Sequence, residues 1–226
     1  MKSIAKTNSK LLMKTLKKYV HTHDSFYAKD VEVHKAKQFF VKPNYNEPVP
    51  FGVFHTDHMM VIDYTVDAGW ERPIIKPYGP FLIDPRNSTL HYAVELFEGL
   101  KAYRNKDKVF LFRPELNARR MLASAQRVCL PSFNETEWIK SLEEYVKVDQ
   151  SWIHDKQGYS LYIRPTYISM TNKLGVSPPT EARLFFISSP VGPYFPTGLK
   201  PINIVCNEHD YIRAGMGGFG QFKLGA

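Results

Sequence analysis

The sequence contains few cysteines and no long apolar run, and these absences exclude several classes of protein. Its 226 residues include two cysteines, Cys129 and Cys206, which are too few for a disulfide framework and are typical of reduced intracellular thiols. No stretch approaches the ~18 consecutive apolar residues of a transmembrane helix. Hydrophobic residues make up 43% and charged residues 23% of the chain, which excludes disordered, collagen-like and coiled-coil classes.

Residues 1–23 contain no acidic residue and no arginine, but they hold six lysines. The net charge of +8 is concentrated there, because the remaining 203 residues carry a net charge of only +2. The body of the protein therefore gives no support for a nucleic-acid-binding surface. Leu12, Leu16 and Val20 share one face if this segment is helical, which is typical of a mitochondrial transit peptide. The alternative is a solvated tail on a cytoplasmic protein.

The patterning along the chain predicts an α+β fold. A helix is expected from the Asn87-Ser88 cap through Val94 and Leu96. Pro114 is expected in the first turn of a second helix, and Asn134 with Glu137 resembles the capping box of a third. A polar turn over 105–108 joins two of the strands as a hairpin, and prolines mark a loop over 73–80. The predicted strands lie near 59–64, 100–103, 109–112, 159–164, 184–187 and 202–205.

Changes in composition divide the chain into four parts. Residues 1–45 form a basic extension, and 46–191 form a small α+β domain. Residues 192–200 are a stiff linker rich in proline and glycine. Residues 201–226 begin a second domain with one strand and a glycine-rich loop, and 26 residues of this kind cannot form a core of their own.

The glycine-rich loop over 215–220 has three interpretations. As a string, GMGGFG matches the dinucleotide-binding fingerprint, but that motif needs a following helix and an acid about 20 residues on. A second interpretation is an ordinary loop. In the third, the glycines let the backbone approach a ligand closely, and Lys223 is a nucleophile for a carbonyl group.

Two pairs of residues are candidates for binding anions. Tyr162 and Arg164 are two apart on a predicted strand and face one side, so Arg164 can clamp a carboxylate with help from the phenol. Alternatively, Arg164 is a surface arginine lying over an aromatic ring. Pro165, directly after it, marks an edge or bulge. Arg119 and Arg120 either bind phosphate or form a solvated helix face.

The segment HTDH over 55–58 contains residue types that ligate metals. No third ligand is placed by spacing, so no metal site is predicted. His58 is instead expected to be a hydrogen-bonded residue of the domain.

The run LHYAVELFEGLKAYR over residues 90–104 resembles the signature of the eukaryotic type of branched-chain aminotransferases, which are fold type IV enzymes. Similar stretches follow the same order and spacing from about residue 48 to 226, and they lie at 51–58, 111–114, 161–166, 189–194 and 211–223. The resemblance implies the small N-terminal domain of that fold, with only the first strand and the lysine loop of the second.

The resemblance also implies roles for individual residues. Lys223 would be the catalytic lysine that holds pyridoxal 5'-phosphate covalently, and Arg120 would bind the phosphate of this cofactor. Tyr162 and Arg164 would belong to the substrate site. In the family's homodimers a loop enters the partner's pocket, and Leu174 and Val176 match that loop. The aromatic substrate pocket would be formed by Phe51, Tyr92, Phe97 and Tyr194.

The implied reaction is reversible, ping-pong transfer of the amino group of leucine, isoleucine or valine to 2-oxoglutarate, which gives branched-chain 2-oxo acids and glutamate. The family continues well beyond the lysine, so the resemblance predicts a chain truncated shortly after Lys223. Residues near this lysine also depart from the usual family pattern, namely Phe219, Gln221, Phe222 and Ala226. The alternative is therefore a catalytically inactive fragment that acts as a dimerisation or interaction module.

Overall fold

The described part of the chain forms a mixed sheet of nine strands, and two long helices pack against this sheet. The computed structural model describes residues 25–195, 200–206 and 214–225. The helices are α1 (Ser88–Tyr92), α2 (Pro114–Arg127) and α3 (Glu135–Val148), with short 3-10 helices at Ala28–Asp30 and Gln150–Trp152. The strands are β1 (Glu32–Val33), β2 (His58–Thr65), β3 (Gly69–Trp70), β4 (Ile74–Pro77), β5 (Glu95–Phe97), β6 (Leu100–Asn105), β7 (Lys108–Leu111), β8 (Ser160–Ser169) and β9 (Glu181–Val191).

The strand order is β1-β4-β2-β9-β8-β6-β7, with β3 paired to β2 and β5 paired to β8. All pairs are antiparallel except β1 with β4. The centre of the sheet is the long β8–β9 ladder, which runs from Ser160 opposite Val191 to Ser169 opposite Ala182. The predicted α+β class is confirmed.

The two long helices begin where the sequence predicts. Pro114 occupies the first turn of α2, and the Asn134 side chain caps α3 by accepting the backbone N–H groups of Thr136 and Glu137. The buried faces of both helices join the core, where the Trp138 and Phe186 rings lie 5.4 Å apart. Each such buried apolar side chain contributes about 1.5–3 kcal/mol to folding.

Two predicted elements differ from the structure. The helix that was expected to reach Leu96 ends at Tyr92, because Ala93 adopts a left-handed conformation with φ of 48°. Leu96 instead lies in β5, where pairing with β8 overrides the local helical pattern. The predicted loop over 73–80 contains β4, whose last residue is Pro77.

Residues 25–45, which the sequence predicts to be part of the basic extension, pack on the domain. Phe26 is only 2% exposed, and β1 pairs with β4. Buried side chains of β2 and the turn before it accept further backbone N–H groups: His58 Nε2 binds the N–H of Ala36, and Asp57 binds that of Phe40. These long-range contacts have no local sequence signal.

The structure shows no strand over residues 200–206, where a strand was predicted. Val205 is 92% exposed there, and a β-strand requires a hydrogen-bonded neighbour. The predicted transit peptide and residues 211–213 of the family motif lie outside the described residues. Within the described ranges, no helix has the length and apolar character needed to cross a membrane.

Candidate active site

The site is built around a break between β5 and β6. Both strands pair with β8, with Phe97 opposite Thr166 and Leu100 opposite Ile163, and Glu98-Gly99 lies between them. Pro165 of β8 lies across from this break, and its carbonyl accepts the N–H of Glu98 at 2.8 Å. Since proline has no N–H to donate, the interruption falls in the neighbouring strand, while β8 continues through Pro165 and stays paired with β9.

Glu98 forms a two-point ion pair with Arg120 of α2. Its carboxylate is fully buried and accepts Arg120 Nε at 2.6 Å and Nη2 at 2.7 Å. Asn117 Nδ2 and the Gly99 N–H donate to the same carboxylate at 2.8 and 3.3 Å. The bond to Glu98 raises the pKa of Arg120 above its already high usual value. Arg119 is exposed, so the solvated-face interpretation applies to it.

Arg164, Tyr162 and Lys223 meet around Phe97. Arg164 Nε and Nη2 donate to Tyr162 Oη at 3.0 and 2.9 Å, which confirms that the two side chains share one face of β8. The Arg164 guanidinium carbon lies 4.4 Å and Lys223 Nζ lies 4.1 Å from the centre of the Phe97 ring. The structure therefore brings an arginine and a lysine amine onto one aromatic ring.

Gly99 packs directly against this group. A Cβ at this position would overlap Tyr162 Oη. The absence of a side chain at Gly99 therefore leaves room for the Tyr162 hydroxyl that holds Arg164.

The lysine loop, residues 214–225, is attached to α2 and β5. The Lys223 N–H donates to Ser124 Oγ at 3.1 Å, and the Lys223 carbonyl accepts the N–H of Phe97 at 3.3 Å. The Phe219 ring lies 4.1 Å from the guanidinium carbon of Arg127. Residues 221–225 are not helical, so the loop lacks the helix that the dinucleotide fingerprint requires.

The predicted aromatic pocket residues are divided between two cavities. One cavity of about 840 Å³ is lined by Phe51, Tyr162 and Tyr194, and the Phe51 and Tyr162 rings lie 4.9 Å apart. A second cavity of about 580 Å³ is lined by Tyr92 and the lysine loop. Tyr92 and Phe51 thus do not share a cavity, and the Phe97 ring contacts both Arg164 and Lys223.

The Leu174–Val176 segment lies beside the second cavity. Tyr92 Oη donates to the carbonyl of Leu174. The side chains of Leu174 and Val176 are 58% and 82% exposed.

His58 has the structural role expected of it. Its Nδ1 lies 2.7 Å from Asp149 Oδ1, and its Nε2 accepts the Ala36 N–H at 2.8 Å, so both ring nitrogens are used. The His55 ring stacks on Tyr78 at 3.9 Å. Among the residues that the structure describes, no group of three or more His, Cys, Asp or Glu side chains is placed to hold a metal ion.

The sequence predicts no role for Glu98, Asn117 or Ser124. A signal was present for the helical residues, because Asn117, Arg120 and Ser124 are three and four apart and must share a helix face. Nothing local indicated that Glu98 would be buried beneath that face.

No protein-family model matches the chain. Curated relatives do: it is 43% identical to the mitochondrial branched-chain-amino-acid aminotransferase of Bos taurus over 207 residues, which are 91% of this chain and 52% of that protein. It is 47% identical to the cytosolic enzyme of Mus musculus over 204 residues, 89% of this chain and 52% of that protein. The chain therefore spans about half the length of the curated relatives it matches.

Among solved structures, a branched-chain aminotransferase from Thermoproteus uzoniensis with norvaline aligns with a TM-score of 0.48 and 22% identity, over 62% of this chain and 43% of that one. The likeness to aminotransferases rests on the sequence relatives alone. Over the part of those proteins that it spans, the chain is similar to branched-chain-amino-acid aminotransferases.

Proposed function

We propose that this chain is the part of a branched-chain aminotransferase that carries its catalytic lysine. The reaction is reversible, ping-pong transfer of the amino group of leucine, isoleucine or valine to 2-oxoglutarate, with pyridoxal 5'-phosphate as cofactor. The observation that carries the proposal is the placement of Lys223 Nζ and the Arg164 guanidinium on one Phe97 ring. The reaction requires a cation that binds the substrate α-carboxylate and an amine that takes a proton from the substrate Cα, and these two side chains can supply both.

The residues present fit pyridoxal 5'-phosphate. Lys223 supplies a primary amine, and Arg120 supplies a cation that is half exposed. Two N–H groups of Arg120 bind Glu98, and a guanidinium has five, so donors remain for a phosphate. When bound, the cofactor supplies an electron sink for negative charge at the substrate Cα.

The chain's own side chains then hold the substrate and move its proton. Arg164 binds the α-carboxylate in a two-point geometry, supported by the Tyr162 hydroxyl. Lys223 Nζ, in its neutral form, takes the proton from the substrate Cα and later returns one. In the second half of the reaction the same pocket also accepts the side-chain carboxylate of glutamate.

Selection of a branched side chain is assigned to the aromatic walls of the larger cavity. Phe51, Tyr162 and Tyr194 line it, and such walls distinguish substrates by about 1–3 kcal/mol per methylene. Tyr92 and Phe97 complete the apolar surface around the lysine loop.

The experiment that tests this function is covalent trapping. The chain is mixed with pyridoxal 5'-phosphate, reduced with borohydride and digested, and the labelled lysine is identified by mass spectrometry. We expect stoichiometric labelling at Lys223 that is lost in Lys223→Ala and kept in Lys101→Ala, since Lys101 lines the larger cavity beside Tyr162. Labelling spread over many lysines and unchanged in Lys223→Ala would refute the cofactor assignment.

We also propose that the complete protein is a homodimer, in which the exposed Leu174 and Val176 enter the partner's pocket. Sedimentation of the Leu174→Ser/Val176→Ser double variant tests this. A dimer that becomes a monomer supports the arrangement, and a wild-type protein that is already a monomer refutes it.

Mitochondrial targeting by the basic segment is a further proposal. The relatives include proteins named mitochondrial and proteins named cytosolic. A fusion of residues 1–30 to a fluorescent protein tests it, and a diffuse cytosolic signal would contradict it.

A further inference from the structure

Glu98 is a charged side chain with no exposure, and the proposed reaction does not use it. Burying a carboxylate is costly unless it is paired and hydrogen-bonded. Here it accepts four bonds, from Arg120 Nε, Arg120 Nη2, Asn117 Nδ2 and the Gly99 N–H. A partner arginine with half of its side chain in solvent is a poor choice for stabilising a core, so the pair calls for another explanation.

The geometry points to Glu98 as a positioning residue that fixes the Arg120 guanidinium for phosphate binding. This inference rests on the proposed cofactor role of Arg120. Glu98 engages the Nε and Nη2 edge of the guanidinium, which leaves Nη1 and the outer N–H of Nη2 as the edge available to an anion. A guanidinium held at two points keeps one plane, whereas a free arginine side chain samples many rotamers.

The support beneath Glu98 is itself rigid. Its backbone N–H is bound to the carbonyl of Pro165, in the middle of the long β8 strand. Asn117 lies one helical turn before Arg120 and contacts the same carboxylate, so α2 approaches Glu98 at two successive turns. The carboxylate thus connects the strand break to the helix that presents Arg120.

Glu98→Gln tests this assignment because it keeps the shape and changes the donors. If the amide oxygen serves Asn117, Gly99 and Arg120 Nη2, the amide NH₂ faces Arg120 Nε, and two donors oppose each other. The guanidinium must then leave its position. Asp63→Asn is the matched control, because Asp63 holds Arg183 in an equivalent two-point pair, at 2.7 and 2.8 Å, elsewhere on the sheet.

The first measurement compares the affinities for pyridoxal 5'-phosphate and for pyridoxal, which lacks the phosphate. We expect Glu98→Gln to weaken binding of the phosphorylated compound at least fivefold and that of pyridoxal less than twofold, with Asp63→Asn unchanged for both. Equal weakening of both compounds would indicate a purely structural role and overturn the inference. Tighter binding of the phosphate would show that Glu98 acts only by offsetting the charge of Arg120, and it would overturn the inference too.

A second measurement does not depend on the cofactor. In ¹⁵N-arginine NMR spectra, the Arg120 Nε–H signal, assigned with Arg120→Lys, is followed as inorganic phosphate is added. We expect this signal to shift in the wild type and to be lost or unresponsive in Glu98→Gln. If the wild type binds neither pyridoxal compound, the proposed cofactor role fails for this chain, whereas a wild-type Arg120 signal that ignores phosphate overturns the inference about Glu98. If Glu98→Gln does not fold, Asn117→Ala replaces it, with a two- to threefold effect expected in the same direction.

Discussion

The backbone N–H of Lys223 donates to the side-chain oxygen of Ser124 at 3.1 Å, across 99 residues of sequence. Ser124 is fully buried and lies four residues after Arg120 on α2. The lysine loop is therefore attached to the same helix that presents the phosphate-binding candidate. This hydrogen bond connects the loop that carries one proposed cofactor contact to the helix that carries the other.

Removing that attachment should loosen the lysine loop. We expect Ser124→Ala to cost about 1 kcal/mol of unfolding free energy and to slow reductive labelling of Lys223 several-fold. Ser141→Ala is the control, because the Ser141 Oγ is buried without a hydrogen-bond partner in the described part of the chain. Labelling rates by mass spectrometry and urea unfolding measure both effects. Equal labelling rates in Ser124→Ala and wild type would show that the contact does not hold the lysine.

A methyl group at Gly99 should displace Tyr162. The added Cβ overlaps the Tyr162 hydroxyl, so both hydrogen bonds from Arg164 must break or shift. We expect Gly99→Ala to weaken leucine binding at least tenfold, since the loss of even one of these charge-assisted bonds costs about 1.5–3 kcal/mol and tenfold corresponds to about 1.4 kcal/mol. Gly79→Ala is the control, because a Cβ at Gly79 meets no atom within 4 Å. Calorimetric titration with leucine decides the matter, and unchanged affinity in Gly99→Ala would argue against Arg164 as the carboxylate clamp.

Lowering the pH should weaken the contact between Ala28 and Glu137 of α3. Glu137 accepts the Ala28 N–H at 2.9 Å, and this bond, with help from Lys140, lowers the pKa of Glu137 below its usual 4.5. A lowered folded-state pKa means that the stabilisation is complete above pH 4.5 and is lost as the pH falls through the folded value. Wild type should exceed Glu137→Gln in stability at neutral pH by no more than about 1 kcal/mol, because water screens this pair.

Urea unfolding at neutral pH and at several values below 4.5 tests the expectation for Glu137, since the gap between wild type and Glu137→Gln should close in acid. Glu144→Gln provides the control: it removes an ion pair to Lys147 on the same helix but no backbone hydrogen bond. A gap that stays constant with pH would rule out the carboxylate as its source.

The largest loss of stability among these variants should come from Asp149. Its carboxylate accepts the His58 N–H at 2.9 Å and lies 2.7 Å from His58 Nδ1, and both side chains are at most 4% exposed. Asp149→Ala leaves two buried donors without an acceptor, so we expect a loss of about 3 kcal/mol. Asp155→Ala, at a site 71% exposed, should change stability by less than about 0.5 kcal/mol. Chemical unfolding of both variants gives the comparison, and equal stabilities would contradict the proposed importance of the buried pair.

Elements with a local signal were predictable from the sequence. Pro114 indicates the start of α2 because its fixed φ suits the first helical turn, and Asn134 indicates the start of α3 because its side chain caps that helix. The β6–β7 hairpin follows from a short polar turn between two apolar runs. Prediction failed where pairing with a strand that is distant in the sequence determines the local structure. For example, β5 interrupts a helical pattern because it pairs with β8, and β1 forms only by lying beside β4.

The same distinction applies to the site. Local patterns made candidates of four residues, and the resemblance to a family chose among the interpretations of each. The roles of Lys223, Arg120, Tyr162 and Arg164 stay predictions. Their supports were not visible, since Glu98 reaches Arg120 across 22 residues and Lys223 reaches Ser124 across 99. Such contacts depend on how the lysine loop and α2 pack against the sheet, which no local pattern encodes.

The break between β5 and β6 has a further consequence for the placement of two arginines. Its two consecutive residues serve different arginines, because Glu98 binds Arg120 and Gly99 makes room for the tyrosine that binds Arg164. One dipeptide therefore contributes to the placement of both guanidinium groups. A backbone change at this break would therefore move both arginines together, so any ligand that contacts both of them would respond to a change at Glu98-Gly99 at each of its two ends.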